Sequence, residues 1–352
     1  MTTNVSTYIY NIQILRAFAA LLVVLNHIGG VAWGGFFSYC GGFGVDIFFI
    51  LTGYLMILTY KSSSKSYQFF FSRVKRIYPT YIIVAAPLII YEFIFKHTNF
   101  VYSIQNFLLL PGFNDPNYHL ALAPGWTLVY EMIFYAMLSL AMLIAKEKWK
   151  ISFLITSEVV LCLVLFKIFG KGFQREGWVN IGYILKDNLN IDFLFGCILC
   201  VIVDKFNISG RLYNFVFPAT AALCSIFSLF ILIREPRLLG FGVPALAIVA
   251  SAVICAPYSG RISRAFSLVG KFSYSLYLSH IYFAILLSTI VNKISLTAGT
   301  KSIVAVVMIA LSICFGYIVY QIIESKFNSR IAAVYRALMR RGAALYNSTV
   351  GN

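Results

Sequence analysis

Ten apolar stretches follow one another along the chain, near 12–28, 44–60, 81–95, 126–145, 151–169, 185–203, 212–233, 238–257, 272–291 and 303–323. Most run to about 20 residues, the length at which a helix crosses the ~30 Å hydrocarbon core of a bilayer. Inside lipid every backbone N–H and C=O must find a partner within its own segment, so the pattern implies an all-α, polytopic membrane protein with about ten transmembrane helices. Two stretches are short and require tilting or local thinning of the membrane. Composition closes the soluble alternative: 60% of the 352 residues are hydrophobic and 11% charged, too little polar surface to cover a water-facing fold of this size.

A net charge of +16 would suggest a polyanion partner in a soluble protein. Here it reads as topology. With the N-terminus in the cytoplasm, eighteen Lys and Arg fall in the cytoplasmic connections and nine in the opposite ones, with Arg16 inside the first span completing the 28. That two-to-one bias satisfies the positive-inside rule, places both termini in the cytoplasm and removes the need for a nucleic-acid partner. The first stretch should stay as a span: no basic segment precedes it, no small-residue cleavage site follows it, and an Arg sits within it. Six of the seven cysteines fall in predicted spans, where thiols pack as small apolar groups. Cys197 and Cys200 form a CxxC without a third or fourth ligand, so no metal is expected. The chain divides into a single membrane-embedded domain, 1–325, and a basic cytoplasmic tail, 326–352.

The informative residues are the ionisable ones inside the apolar runs, each of which costs about 2.5–3.5 kcal/mol at mid-bilayer and so turns toward a cavity or a partner. Arg16 and His27 lie eleven residues apart, about three turns plus ~20°, which puts them on one helix face separated by ~16 Å of rise. Asp46 follows a glycine-rich turn and enters from the His27 side, at a depth where it can pair with His27 or another cation. Gly53, seven residues on, suggests close approach of another helix. Arg73 and Arg76, three apart, would project together from a short helix at the membrane surface as an anion clamp. Glu131 shares a face with Tyr135 at i+4 and needs a partner, an ion pair with Arg16 or another basic group being the purely structural option. Ser273, Tyr277 and His280 form a hydroxyl and imidazole stripe, and Glu158, Asp192 and Glu324 are further acids at membrane depth, Asp192 the most notable of them.

Taken in order, the R-x10-H of the first span, FGVDIFFILTGY of the second, RVKR followed by IYPTY, WTLVYE of the fourth and KFSYSLYLSH of the ninth resemble the acyltransferase 3 family of integral membrane proteins. The likeness runs from about residue 10 to 325. It implies a bacterial cytoplasmic-membrane enzyme that moves an acyl group, usually acetyl, from cytoplasmic acetyl-CoA to a hydroxyl of a cell-surface polysaccharide or lipid-linked saccharide. Carried over by position, the family's Arg and His pair falls on Arg16 and His27, its RxxR on Arg73 and Arg76, and its Trp and Glu on Trp126 and Glu131. Two departures are Thr52, where Ser is common before the glycine, and the absence of a Pro two residues after Glu324. His27 is then the candidate base or transient acyl carrier, and Arg16 steadies the thioester or a phosphate. Asp46 and Glu131 complete the catalytic set, and Arg73 and Arg76 grip the coenzyme A phosphates. Trp126, Tyr135, Tyr277, His280 and Asp192 support the substrate. Intramembrane Arg, Asp, Glu and His also line ion-coupled pathways, so a transporter or glycan flippase is the alternative, although no inverted repeat is evident.

Overall fold

The structure, a computed structural model, describes residues 3–113, 118–169, 179–208, 210, 212–230, 237–258 and 260–326. The basic tail expected over 326–352 lies, from 327 on, outside the described residues. Among the described residues helix is the regular structure, with two isolated β-bridges, Gly112 to Asn180 and Leu212 to Cys255, tying connections together. Helix α1 (Thr3–Val24) continues through a π turn (Leu25–Gly29) into a last turn (Gly30–Trp33), followed by α2 (Cys40–Thr59), α3 (Ser66–Phe95) and the short α4 (Phe100–Phe107). The chain then forms α5 (Trp126–Ile144), α6 (Lys148–Phe169), α7 (Ile181–Lys186), α8 (Leu189–Phe206) and α9 (Val216–Phe230). A π turn (Leu238–Gly242) leads into α10 (Val243–Ile254), and α11 (Arg261–Lys271), α12 (Ser273–Ser279), α13 (Ile281–Lys293) and α14 (Ala298–Val319, extended by a π turn to Ser325) complete it.

Seven of these helical segments are long and apolar enough to cross a membrane. The ten stretches of the sequence fall on those seven, on α8 and on the shorter apolar α9 and α10. One expectation is corrected in extent: α3 is a continuous helix of 30 residues that begins at Ser66, so Arg73 and Arg76 belong to a membrane-length helix and not to a short surface one. Its two prolines, Pro79 and Pro87, are tolerated as they are in other membrane helices, where neighbouring groups satisfy the carbonyls that proline frees.

Backbone contact sets the centre of the bundle. A Cβ on Gly53 would lie 2.1 Å from the Phe193 carbonyl oxygen, and one on Gly196 would lie 1.9 Å from that of Ile50, so α2 and α8 cross with nothing between their main chains. Gly44 brings α2 against α1 in the same way, its Cβ position 2.5 Å from the Ala19 oxygen. Phe134 of α5 stacks on Phe193 of α8 at 3.9 Å. Asn11, buried, anchors α1 by donating to the Ala252 and Ala256 carbonyls at 3.0 and 3.2 Å and accepting from the Tyr258 amide at 2.9 Å. These contacts hold α1, α2, α5, α8 and α10 together beside the space in which the ionisable residues gather.

Candidate active site

Two cavities lie end to end within the bundle. The first, about 980 Å³ with its mouth included, is lined by Arg16 of α1, Arg73 and Arg76 of α3, Glu131 and Tyr135 of α5, and Tyr274 and Tyr277 of α12, among others. Three guanidinium groups against one lining carboxylate give it a net positive charge. Arg73 is fixed by stacking, its guanidinium carbon 4.9 Å from the Phe69 ring centre and 5.9 Å from that of Tyr135, a cation–π arrangement that leaves the donors free. It gives one hydrogen bond, to Thr59 Oγ1 at 2.6 Å, while its Nε has no partner among the described residues. The partner of Glu131 is the residue that shares its face: the carboxylate accepts from the Tyr135 hydroxyl on its own helix and acts through space on Arg16 and Arg76. Glu324, accepting from Ser275 Oγ at 2.9 Å, faces the same two arginines.

The second cavity, about 1100 Å³ on the same measure, is lined by His27 and Asn26 of the α1 π turn, Gly41 and Gly42 of α2, Trp126, Arg237 and the 118–120 segment, among others. A π turn bonds from i to i+5 and swings its side chains out of α-helical phase; His27 sits within it and lines the second cavity, while Arg16, further along the same helix, lines the first. Val45 and Tyr277 line both. Tyr277 is therefore the partition between them, held by a hydrogen bond from its hydroxyl to the Pro124 carbonyl at 3.0 Å and by a contact with Thr127 Oγ1 at 2.9 Å.

The far wall of the His27 cavity is built from a connection with little regular structure. Tyr81 of α3 donates to the Asn106 carbonyl at 2.8 Å, and the Asn106 side chain donates to the His119 carbonyl at 3.3 Å and accepts from the Ala121 amide at 2.8 Å. The Tyr118 hydroxyl donates to the Leu110 carbonyl at 2.9 Å. Burial pushes the Tyr118 phenol above its ordinary value, so it stays a neutral donor.

His27 and Asp46 are not partners. Asp46, fully buried, is clamped by Arg237, whose Nη2 pairs with one carboxylate oxygen and also donates to the Gly42 carbonyl at 3.2 Å, and whose Nε lies 3.4 Å from the other. Asp192 of α8 adjoins this pair, with Oδ1 lacking a partner among the described residues. Its carboxylate and that of Asp46 share one guanidinium. His27 instead meets His280, whose Nε2 is 3.1 Å from His27 Nδ1. His280 is wholly buried and so stands behind His27, without a surface on the cavity. Trp126 and Tyr277 line the His27 cavity, Tyr135 the arginine cavity, and Glu158 neither. Arg237 was counted among the connecting charges; the signal that it dips inward is the uninterrupted apolar run LLGFGVPALAIVA that follows it. Among the described residues no group of three His, Cys, Asp or Glu is placed to hold a metal ion.

Comparison with known proteins identifies a family and relatives. The profile of a family described as an acyltransferase domain matches residues 9–321. The exopolysaccharide production protein ExoZ of Rhizobium meliloti is 26% identical over 317 residues, covering 86% of this chain and 91% of that protein. The peptidoglycan O-acetyltransferase OatA of Listeria monocytogenes is 27% identical over 338 residues, covering 82% of this chain but only 51% of that protein. The chain thus spans nearly all of one relative and about half of the other. No solved structure matches it.

Proposed function

The chain belongs to this acyltransferase family, and from that premise we propose that it is a membrane O-acyltransferase whose arginine cavity binds acyl-CoA and whose His27 cavity receives a glycan hydroxyl. The observation that carries the proposal is the pair of cavities that share Val45 and Tyr277, one lined by three arginines and the other by an imidazole. Phosphate is the anion that guanidinium groups bind best, through charge-assisted and bidentate hydrogen bonds. The excess of Lys and Arg in alternate connections puts Arg73 and Arg76 at the cytoplasmic face and His27 toward the outer one, so the pantetheine arm would extend past Tyr277 with its thioester beside His27.

The chemistry then needs a base. His27 takes the proton of the acceptor hydroxyl as the O–H bond breaks; the oxygen's electron pair forms the new C–O bond at the thioester carbonyl; the C–S bond breaks with its electrons on sulfur, and His27 returns the proton to the departing thiolate. Arg16, further along the same helix, supplies positive charge to the donor. Names such as those of the two relatives point to an exopolysaccharide or another envelope glycan as acceptor and to acetyl as the group moved, and family membership favours transfer over transport.

Reconstituted protein given acetyl-CoA and a glycan acceptor tests this. Loss of a charge-assisted hydrogen bond is worth about 1.5–3 kcal/mol, so Arg73→Ala or Arg76→Ala raises the KM for acetyl-CoA by roughly 10–100-fold. His27→Ala lowers kcat by about 10²–10⁴-fold. Full O-acetylation of the surface glycan in cells carrying His27→Ala would overturn the proposal.

A further inference from the structure

Where α1 passes the junction of α12 and α13, two imidazoles meet. His280 Nε2 lies 3.1 Å from His27 Nδ1, with ring centres 5.0 Å apart and planes inclined at 51°. Each ring also faces a carbonyl four residues earlier in its own helix: His27 Nδ1 is 3.0 Å from the Val23 oxygen, and His280 Nδ1 is 3.3 Å from the Leu276 oxygen. A carbonyl oxygen accepts and never donates. Both Nδ1 atoms therefore carry hydrogen, which leaves His280 Nε2 with a lone pair. That lone pair accepts from the His27 Nδ1–H, shared between His280 and Val23. The nitrogen of His27 left bare is Nε2, and it is the nitrogen available to the cavity that His27 lines.

We infer that His280 is a positioning residue that, together with the Val23 carbonyl, fixes the tautomer of His27. It commits the Nδ1 proton, keeps Nε2 as the basic atom, and supports the Nδ1–H while Nε2 holds a second proton. The wholly buried position of His280 fits a role exercised through His27 and not on substrate. A neutral imidazole does here what a carboxylate does for other catalytic histidines, without placing another charge at membrane depth beside Asp46 and Asp192. The inference rests on His27 being the base.

The test is the ¹⁵N spectrum of the full-length, ¹⁵N-histidine-labelled protein in lipid nanodiscs. The chain has four histidines, so His27→Gln, His97→Gln and His119→Gln assign the signals. The wild type should show His27 with a protonated Nδ1 and a bare Nε2. His280→Leu, which leaves the Val23 carbonyl as the one remaining acceptor of the Nδ1–H, should raise the population of the His27 Nε2–H form and lower kcat by about 10²-fold with the KM for acetyl-CoA unchanged. His280→Gln, whose amide oxygen reaches the place of Nε2, should restore the tautomer and most of the rate. A bare Nδ1 on His27 in the wild type, or a His27 signal indifferent to His280→Leu, would overturn the inference. Should the leucine variant not fold, the wild-type and glutamine spectra decide. A tautomer that moves as described in a protein without acyl transfer under any condition would sink the proposed function and leave the positioning role standing.

Discussion

Each member of the Asp46–Arg237 pair depends on the other, because a buried charge is tolerated only while its partner offsets the lost hydration. Removing one should cost about 3–5 kcal/mol: Asp46→Leu and Arg237→Leu each lower the unfolding temperature in detergent, and the exchange Asp46→Arg with Arg237→Asp recovers part of the loss. If the two single changes simply add in the exchanged protein, the pair is not a unit. At this scale the sequence shows which residues matter better than it shows whom they meet. Arg16, His27, Asp46 and Glu131 stand out because ionisable groups are rare in apolar runs. Their neighbours do not, since Arg237 lies 191 positions from Asp46 and His280 lies 253 from His27. Glu131 is the exception, since its phenol partner Tyr135 lies one turn away on the same helix.

Among the elements, apolar length located all ten segments, because the bilayer fixes how long a spanning helix must be. What length does not reveal is where a helix departs from 3.6 residues per turn. The π turn at Leu25–Gly29 contains His27, and nothing in LNHIG marks it. The start of α3 at Ser66 also escaped, since Lys65, Arg73, Lys75 and Arg76 around its aromatic first turns make the segment read as a basic connection. The α2–α8 crossing was half visible, through Gly53 without Gly196. Adding a methyl group at either should drive the helices apart at a cost of about 3 kcal/mol or more. Gly299, near the start of α14, has open space where its Cβ would sit, so Gly299→Ala should be neutral or stabilising by up to ~1 kcal/mol. Thermal unfolding of Gly53→Ala, Gly196→Ala and Gly299→Ala compares them directly; equal losses at all three would contradict the crossing.

For the whole molecule, the fold sets a cavity lined by three arginines beside one lined by an imidazole. Positive charge gathered by α1 and α3 suits a phosphorylated donor, the imidazole of the π turn suits a hydroxyl acceptor, and Val45 and Tyr277 are shared by both cavities. The most direct measurement is a cryo-electron microscopy map of the full-length protein with a non-transferable acetyl-CoA analogue. Phosphate density on Arg73 and Arg76, with the arm continuing past Tyr277 and the sulfur beside His27, is the predicted result. A donor bound with its sulfur remote from His27, or phosphates held away from both arginines, would contradict it.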